Sequence, residues 1–538
     1  MIGADAIVKC LEKEGVTTLF GYPGVAICPF FNSILTTKIE TILVRSEQNA
    51  AHAASGYARV TGKVGVCVAT SGPGATNLIT GIATAYADSI PLICITGQVS
   101  SALLGSDVFQ EADITGAAES FVKYSYLVKN VSDIPRIMKE AFHIASTGRK
   151  GPVLIDVPID IQNATISGFK YPDAVNMRTY KPTVKGHAVQ LKKVAKELEK
   201  AKKPVICAGG GVILSGAQRE LRDFSHKYGI PVVSTMMGIS SMASDDPLYF
   251  GMIGNNGKTC ANRAMQESDL LIVIGARIAD RAISSPDLVA KDTVLIHIDV
   301  DPAEIGKNVG PTIPIVGDIK SIFGDLSKDN ASCDFSEWVN TLNRYQSDQK
   351  GRKSPRRSYV DPAKFITELS GQLNDNAVYV ADVGQNQMWS CGYYIAKSGR
   401  FLTSGGMGTM GYSIPAALGA KKADMKRQVV AVCGDGSFQM SMNELATMKQ
   451  HDIPIKIIVF NNGYLGLVRE YQHNTYKANY SMVDLSGSPD LSKIAEAYDI
   501  PFVRLKNCNG MSEAISKFLK QKSAGLMECM IDPMDAVK

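Results

Sequence analysis

The chain has no C-x-x-C pair and no cysteine and histidine at metal-binding spacing, although it carries 11 cysteines and 7 histidines. Most of the cysteines sit inside apolar runs such as VGVCVAT and PLICIT, which reads as buried free thiols in a reducing compartment rather than disulfides or a zinc site. No apolar run reaches the about 18 to 20 residues needed to span a membrane. The opening stretch MIGADAIVKCLEKEG carries acids and lacks a signal-peptide core, so a cytoplasmic protein is expected. Charge of one sign is scarce as well, with 57 Lys and Arg against 52 Asp and Glu. The one dense basic run, 350–357, falls in a stretch that reads as linker, which leaves no case for nucleic-acid binding. No Ser-His-Asp or Cys-His arrangement can be argued from the spacing, and no short-period repeat is present.

What is present is a globular composition, 45% hydrophobic and 20% charged, in 538 residues. That length exceeds one ordinary core and calls for roughly two or three domains. Helical spacing over 2–14 leads into the strand and turn TTLFGYPG, and the pattern of strand, glycine loop, small-residue helix and strand then repeats through VLIDVP at 153–158. Turn residues and prolines over 163–185 read as a linker. A second unit carries the strands PVICAGG, PVVSTM, DLLIVIGAR and VLIHIDVD, and polar sequence over 328–359 reads as a second linker. A third unit carries AVYVADVG, RFLTSGG, QVVAVCGD and PIKIIVFNN. The expectation is three consecutive α/β domains with parallel sheets, over 1–165, 186–327 and 360–538, the first and third sharing a strand and glycine-loop rhythm.

The most legible stretch is 430–462. An apolar strand delivers Asp435 between Gly434 and Gly436, a helix follows, and a second apolar strand delivers Asn461 and Asn462. A right-handed crossover between parallel neighbours puts both strand ends at one carboxyl edge. A carboxylate and a side-chain amide there are hard oxygen ligands suited to magnesium, and the Gly436 and Ser437 amides suit a phosphate. Either piece alone reads as an ordinary turn; together at two strand ends they favour the ion and phosphate.

Two further features compete for attention. Gly406, Gly408 and Gly411 satisfy G-x-G-x-x-G after RFLTS, and the next strand ends on an acid, as a nicotinamide oxidoreductase would require. Against that, the acid is flanked by glycines and followed by the Asn pair. Glu47 stands at a strand-to-helix junction among the small residues of QNAAHAASGYA, a setting suited to proton transfer, while the plainer reading is an acid stabilised by the helix dipole. His52, one turn later, reads as a packing residue.

Taken together, FGYPG, EQNAAHAASGYAR, TSGPGATNLITGIATAYADSIPLICITGQV, FQEADI, HIDVDPAEIGKN, TSGGMGTMGYSIPAALGA, and GDGSFQM with NNGYLG resemble the thiamine-diphosphate enzymes, closest to the acetolactate synthase catalytic-subunit family, over almost the whole chain. The resemblance implies a pyrimidine-binding first domain, a Rossmann-like middle domain and a diphosphate-binding third domain, with each active site shared between two subunits of a homodimer or homotetramer and a possible regulatory small subunit. By residue, it implies that Asp435, Asn462 and the Tyr464 carbonyl hold Mg2+, that Gly436, Ser437 and Gln385 face the diphosphate, and that Met410 props the cofactor in a bent shape. Glu47 would hydrogen-bond the pyrimidine and promote loss of the thiazolium C2 proton. Gln110 would lie near the substrate, in a pocket with Val25, Phe109, Ile159 and Tyr471.

The same resemblance implies FAD in the middle domain, against the GGG at 209–211 with Gly210, Arg277 of GARIADR, Asp299 and Asp318. The expected reaction is decarboxylation of pyruvate and addition of the fragment to a second 2-oxoacid. The chain departs from the family pattern at Val25 (for glycine), Ile159 (for lysine), Tyr471 (for tryptophan), Asn255 and Asn256 (for Met-His) and Asn386 (for histidine). Those departures keep open another thiamine-diphosphate-dependent decarboxylase or acyl-transferring lyase, and a flavin or nicotinamide oxidoreductase stands as the alternative of another class.

Overall fold

A computed structural model describes residues 1–537 apart from 281, 283–288, 290–291, 311, 328–332 and 349–355. Among the described residues the chain forms three six-stranded parallel sheets. The first holds β1 (Thr18–Tyr22), β2 (Glu40–Leu43), β3 (Gly65–Ala69), β4 (Leu92–Gln98), β5 (Tyr124–Leu127) and β6 (Pro152–Pro158), in the order β2-β1-β3-β4-β6-β5. The middle sheet holds β7 (Pro204–Ala208), β8 (Val232–Ser234), β9 (Tyr249–Met252), β10 (Leu270–Ile274), β11 (Val294–Asp299) and β12 (Thr312–Val316), in the order β12-β11-β10-β7-β8-β9. The third holds β13 (Val378–Ala381), β14 (Arg400–Thr403), β15 (Val429–Gly434), β16 (Lys456–Asn461), β17 (Phe502–Leu505) and β18 (Gly525–Met530), in the order β14-β13-β15-β16-β18-β17.

The first and third sheets therefore have one topology, and the middle sheet has the doubly wound order of a dinucleotide fold. Central strands such as β3, β7 and β10 are buried along their whole length, which is why they read as unbroken apolar runs. Each sheet reverses its winding at one point: between β1 and β3, between β7 and β10, and between β13 and β15. Loops leaving the carboxyl ends there diverge and open a crevice.

The first and third domains are joined by the helices Glu47–Thr61 and Ser413–Ala423. They cross so closely that a Cβ on Gly56 would fall onto the Ala416 carbonyl oxygen, and one on Gly419 onto that of Ala53. His52 is buried at this crossing, with its ring edge-on to Tyr412. Burial, with Arg59 nearby, pushes its imidazole down to about 3, as a packing residue requires.

One helix and two edge strands differ from expectation. Residues 336–347, inside the expected second linker, form the helix Ser336–Ser347, whose Trp338 and Leu342 are buried against the middle core. Two buried anchors four residues apart are enough to seat a helix whose other residues are polar. Strands β5 and β17 gave no apolar run because they are half-exposed edges of their sheets. No helix among the described residues is long and apolar enough to cross a membrane.

Candidate active site

The β13/β15 crevice gathers the strongest sequence candidates. One cavity is lined by Gln385, Met410, Asp435, Gly436, Ser437, Asn462 and Tyr464. Asp435 follows β15 and starts the helix Asp435–Ser441. Its side chain is 4% exposed, and burial pushes the carboxyl up to about 7 against the pull of nearby main-chain amides. Its Oδ2 accepts from the Gly463 amide at 3.0 Å. Beside it, Asn462 donates through Nδ2 to Gln385 Oε1 at 3.1 Å and accepts the Tyr464 amide on Oδ1 at 3.0 Å.

A buried carboxylate with no ion-pair partner among the described residues, in a cavity shared with the Asn462 side-chain amide and Tyr464, fits a hard divalent cation. Among the described residues no group of three or more His, Cys, Asp or Glu side chains is gathered for a metal, so a cation here would take one carboxylate and neutral oxygens. Gly466 keeps the wall close: a Cβ there would overlap Gln385 Oε1.

Sequence reasoning passed over two acids that shape this cavity. Asp382, fully buried at the end of β13, accepts from the amides of Val383, Gly411 and Ser413 at 2.8, 2.9 and 2.7 Å, which fixes the loop carrying Met410. The signal was there, since AVYVAD ends a strand on an acid just as AVCGD does. Glu470 accepts from Gln385 Nε2 at 2.7 Å and lies on the helix Gly466–Thr475, where nothing in the local pattern marks it. Asn386 lines the cavity too, its Nδ2 donating to the Asp382 carbonyl at 2.8 Å.

A second group surrounds the loop Thr70–Gly74 in the first domain. Glu47 is half-buried and accepts from Asn77 Nδ2 at 3.0 Å. Its Oε1 lies 3.3 Å from where a Cβ of Gly74 would stand, and the Cβ of Gln110 lies 3.0 Å from where one of Gly72 would stand. Gln110 holds φ at +60°, a left-handed conformation that an L residue adopts at some cost. The hydroxyls of Thr70 and Ser71 are buried with no hydrogen-bond partner among the described residues, an unmet demand that suits a polar ligand. Val25 and Phe109 stand out at 78% and 88% exposure. Ile159 opens the short helix Ile159–Asn163, tied to Val25's neighbour by Gln162 Nε2 on the Ala26 carbonyl at 2.7 Å. Glu47 does not line the Asp435 cavity, and Tyr471, 59% exposed on the helix Gly466–Thr475, joins neither group.

The third crevice, at β7/β10, is a cleft of about 360 Å³ bounded by all three domains. Gly210, Arg277, Asp299 and Asp318 all line it. Burial pushes the Asp299 carboxyl up to about 6, and Arg59 Nε and Glu304 Oε2, both at the cleft, are buried with no partner among the described residues. Asp318 also caps the helix Ile319–Leu326 through the Ser321 amide at 3.0 Å. The G-x-G-x-x-G glycines do not form a dinucleotide turn. They follow the edge strand β14 rather than the central strand β7, and Gly406, which lines this cleft, donates its amide to Asp88 Oδ1 at 2.7 Å.

Comparison with known proteins matches three thiamine pyrophosphate enzyme family models: the N-terminal TPP binding domain over residues 1–117, the central domain over 191–326 and the C-terminal TPP binding domain over 382–529. The class is thus a three-domain thiamine pyrophosphate enzyme. The chain is 44% identical to the probable acetolactate synthase large subunit of Methanocaldococcus jannaschii, over 100% of this chain and 93% of that protein. It is 44% identical to the acetolactate synthase large subunit of Corynebacterium glutamicum (96% and 84% covered) and 41% identical to that of Lactococcus lactis (99% and 93%). With these relatives, the chain belongs to the acetolactate synthase large-subunit family of thiamine pyrophosphate enzymes.

Proposed function

We propose that the protein is a magnesium- and thiamine-diphosphate-dependent carboligase that decarboxylates pyruvate and joins the retained fragment to a second 2-oxoacid. The observation that carries this reading is the β13/β15 cavity, where one buried carboxylate, an amide oxygen and helix-start amides line a single space. Asp435, Asn462 and the Tyr464 carbonyl hold the cation. The Gly436 and Ser437 amides and Gln385 would receive the diphosphate, and Met410, lining the same cavity, would support the cofactor. Bound thiamine diphosphate would supply a carbon nucleophile and, in its cationic ring, an electron sink for decarboxylation. Glu47 holds and moves the proton at the pyrimidine nitrogen. Gln110, with Val25, Phe109 and Ile159, borders the substrate.

Because Glu47 and Asp435 serve opposite ends of one cofactor yet do not line one cavity within a single chain, the working unit is at least a dimer with shared sites. The β7/β10 cleft fits FAD: its acids and the partnerless Arg59 and Glu304 atoms offer donors and acceptors to a polar dinucleotide. A purified protein that is colourless and takes up no added FAD would remove that part. Eight of the 11 cysteines are buried within apolar surroundings, which supports a reducing, cytoplasmic setting. The name large subunit borne by relatives supports a smaller regulatory partner.

The test is incubation with pyruvate, thiamine diphosphate and magnesium, followed by assay of acetolactate, acetaldehyde and carbon dioxide. Acetolactate is expected; acetaldehyde alone would favour the second reading, a simple 2-oxoacid decarboxylase. That reading draws on Ile159, an apolar residue where the family carries a lysine. No dependence on thiamine diphosphate would reject both.

A further inference from the structure

The helix that begins with Glu47 starts without a cap of its own. Ser46 is extended at the N-cap and its hydroxyl makes no capping hydrogen bond, although such ends are ordinarily fixed by one. The restraint comes from the third domain. Glu444 ends the short 3-10 turn Met442–Glu444 that continues the helix Asp435–Ser441, and at 0% exposure it is fully buried. Its Oε1 accepts from the Arg45 amide at 2.9 Å and from Asn49 Nδ2 at 2.8 Å, while Oε2 accepts from the Thr447 hydroxyl at 2.6 Å. Arg45 and Asn49 flank Glu47 on either side.

We propose that Glu444 is a positioning residue for Glu47: one of its carboxylate oxygens grips the chain before and after Glu47 and so fixes, from the other domain, where the helix begins and where the Glu47 carboxylate points. The inference rests on the proposed role of Glu47 at the cofactor. Burying a carboxylate is costly unless its oxygens are hydrogen-bonded, and here three donors meet that need. The docking extends along the strand that leads to Glu47. Leu43 donates its amide to His451 Nε2 at 3.0 Å, its carbonyl lies 3.2 Å from the Thr447 hydroxyl oxygen, and Arg45 Nη2 donates to Gln450 Oε1 at 2.6 Å. A negative group at the start of a 15-residue helix is also favoured by the helix dipole. Glu444 lines no part of the Asp435 cavity, so its loss leaves the diphosphate end intact.

The test compares Glu444→Met, which keeps the volume and removes the acceptors, with Glu444→Gln, which keeps an acceptor for Arg45 and Asn49 and lets the Thr447 hydroxyl accept instead. In the whole holoenzyme, Glu444→Met should slow exchange of the cofactor C2 proton about 100-fold, the scale of an ångström-sized misplacement, with cofactor affinity unchanged. Hydrogen exchange at the Arg45 amide in the cofactor-free protein should quicken in the same variant. Glu444→Gln should stay within about threefold of the parent on both readouts. Should Glu444→Met fail to fold, Asn49→Ala carries the test, with slowed C2 exchange expected and an unchanged rate overturning the proposal. Unchanged rates in Glu444→Met, or a glutamine variant as impaired as the methionine one, would also overturn it. Glu47→Gln run alongside separates the two readings: if that variant leaves C2 exchange untouched the role of Glu47 fails, while the Arg45 amide still reports on the Glu444 contact.

Discussion

The first and third sheets wind in the same order, yet their carboxyl edges do different things. In the third, the loops at the β13/β15 crevice close around Asp435, Asn462 and Gln385, burying Asp435 and Gln385 and half-burying Asn462. In the first, Glu47 and Gln110 each approach the loop Thr70–Gly74, at Gly74 and at Gly72, while Val25 and Phe109 stand in the open. A repeated fold thus carries two loop edges of opposite character, one enclosed and one with exposed apolar side chains. The topology repeats while the chemistry lives in a handful of loop residues.

The comparison is broken most severely at its reactive residue. Glu47→Gln should slow C2 proton exchange by about 100- to 10,000-fold, the range general acid–base groups command, without weakening magnesium or cofactor binding. Unchanged exchange, followed by NMR in deuterated buffer, would reject the role. Asp435→Asn is the reciprocal break. It should weaken magnesium binding by more than the roughly 10- to 100-fold that loss of an outer partner costs, leaving the Glu47 half intact. Titration followed by the fluorescence of Trp389, which lines the same cavity, reads this directly.

The crossing that joins the halves should be next. Gly419→Ala places a methyl on the Ala53 carbonyl and should destabilise the chain by about 3 kcal/mol in denaturant melts. The last effect concerns pH and is absent at neutrality. The folded imidazole of His52 is held at about 3, far below the unfolded value, so the unfolded chain takes up the extra proton first. Its contribution is complete above about pH 6.5 and is lost as pH falls toward 3. His52→Gln should flatten the stability profile across that window, and a slope equal to the parent's would contradict the assignment.

The anchor half was legible in the sequence because strand, glycine and acid lie next to one another: AVCGDGS and VFNNGYLG each spell their own geometry. The three sheets were legible because parallel strands buried on both faces read as apolar runs. The edge strands β5 and β17 were not, since their exposed faces break those runs. Nor were Glu470 and Glu444, whose partners lie 85 and roughly 400 positions away in the chain. A buried polar contact made over such a separation leaves no local period to read.

The central claim is that Glu47 of one chain and Asp435 of another complete one site. The most direct test mixes two separately inactive variants, Glu47→Gln and Asp435→Asn, after dissociation and reassembly. Random pairing would give about half mixed dimers, each with one intact site, and so about a quarter of the parent's acetolactate-forming activity. A mixture as inactive as its two components, with subunit exchange verified, would contradict a site shared between chains.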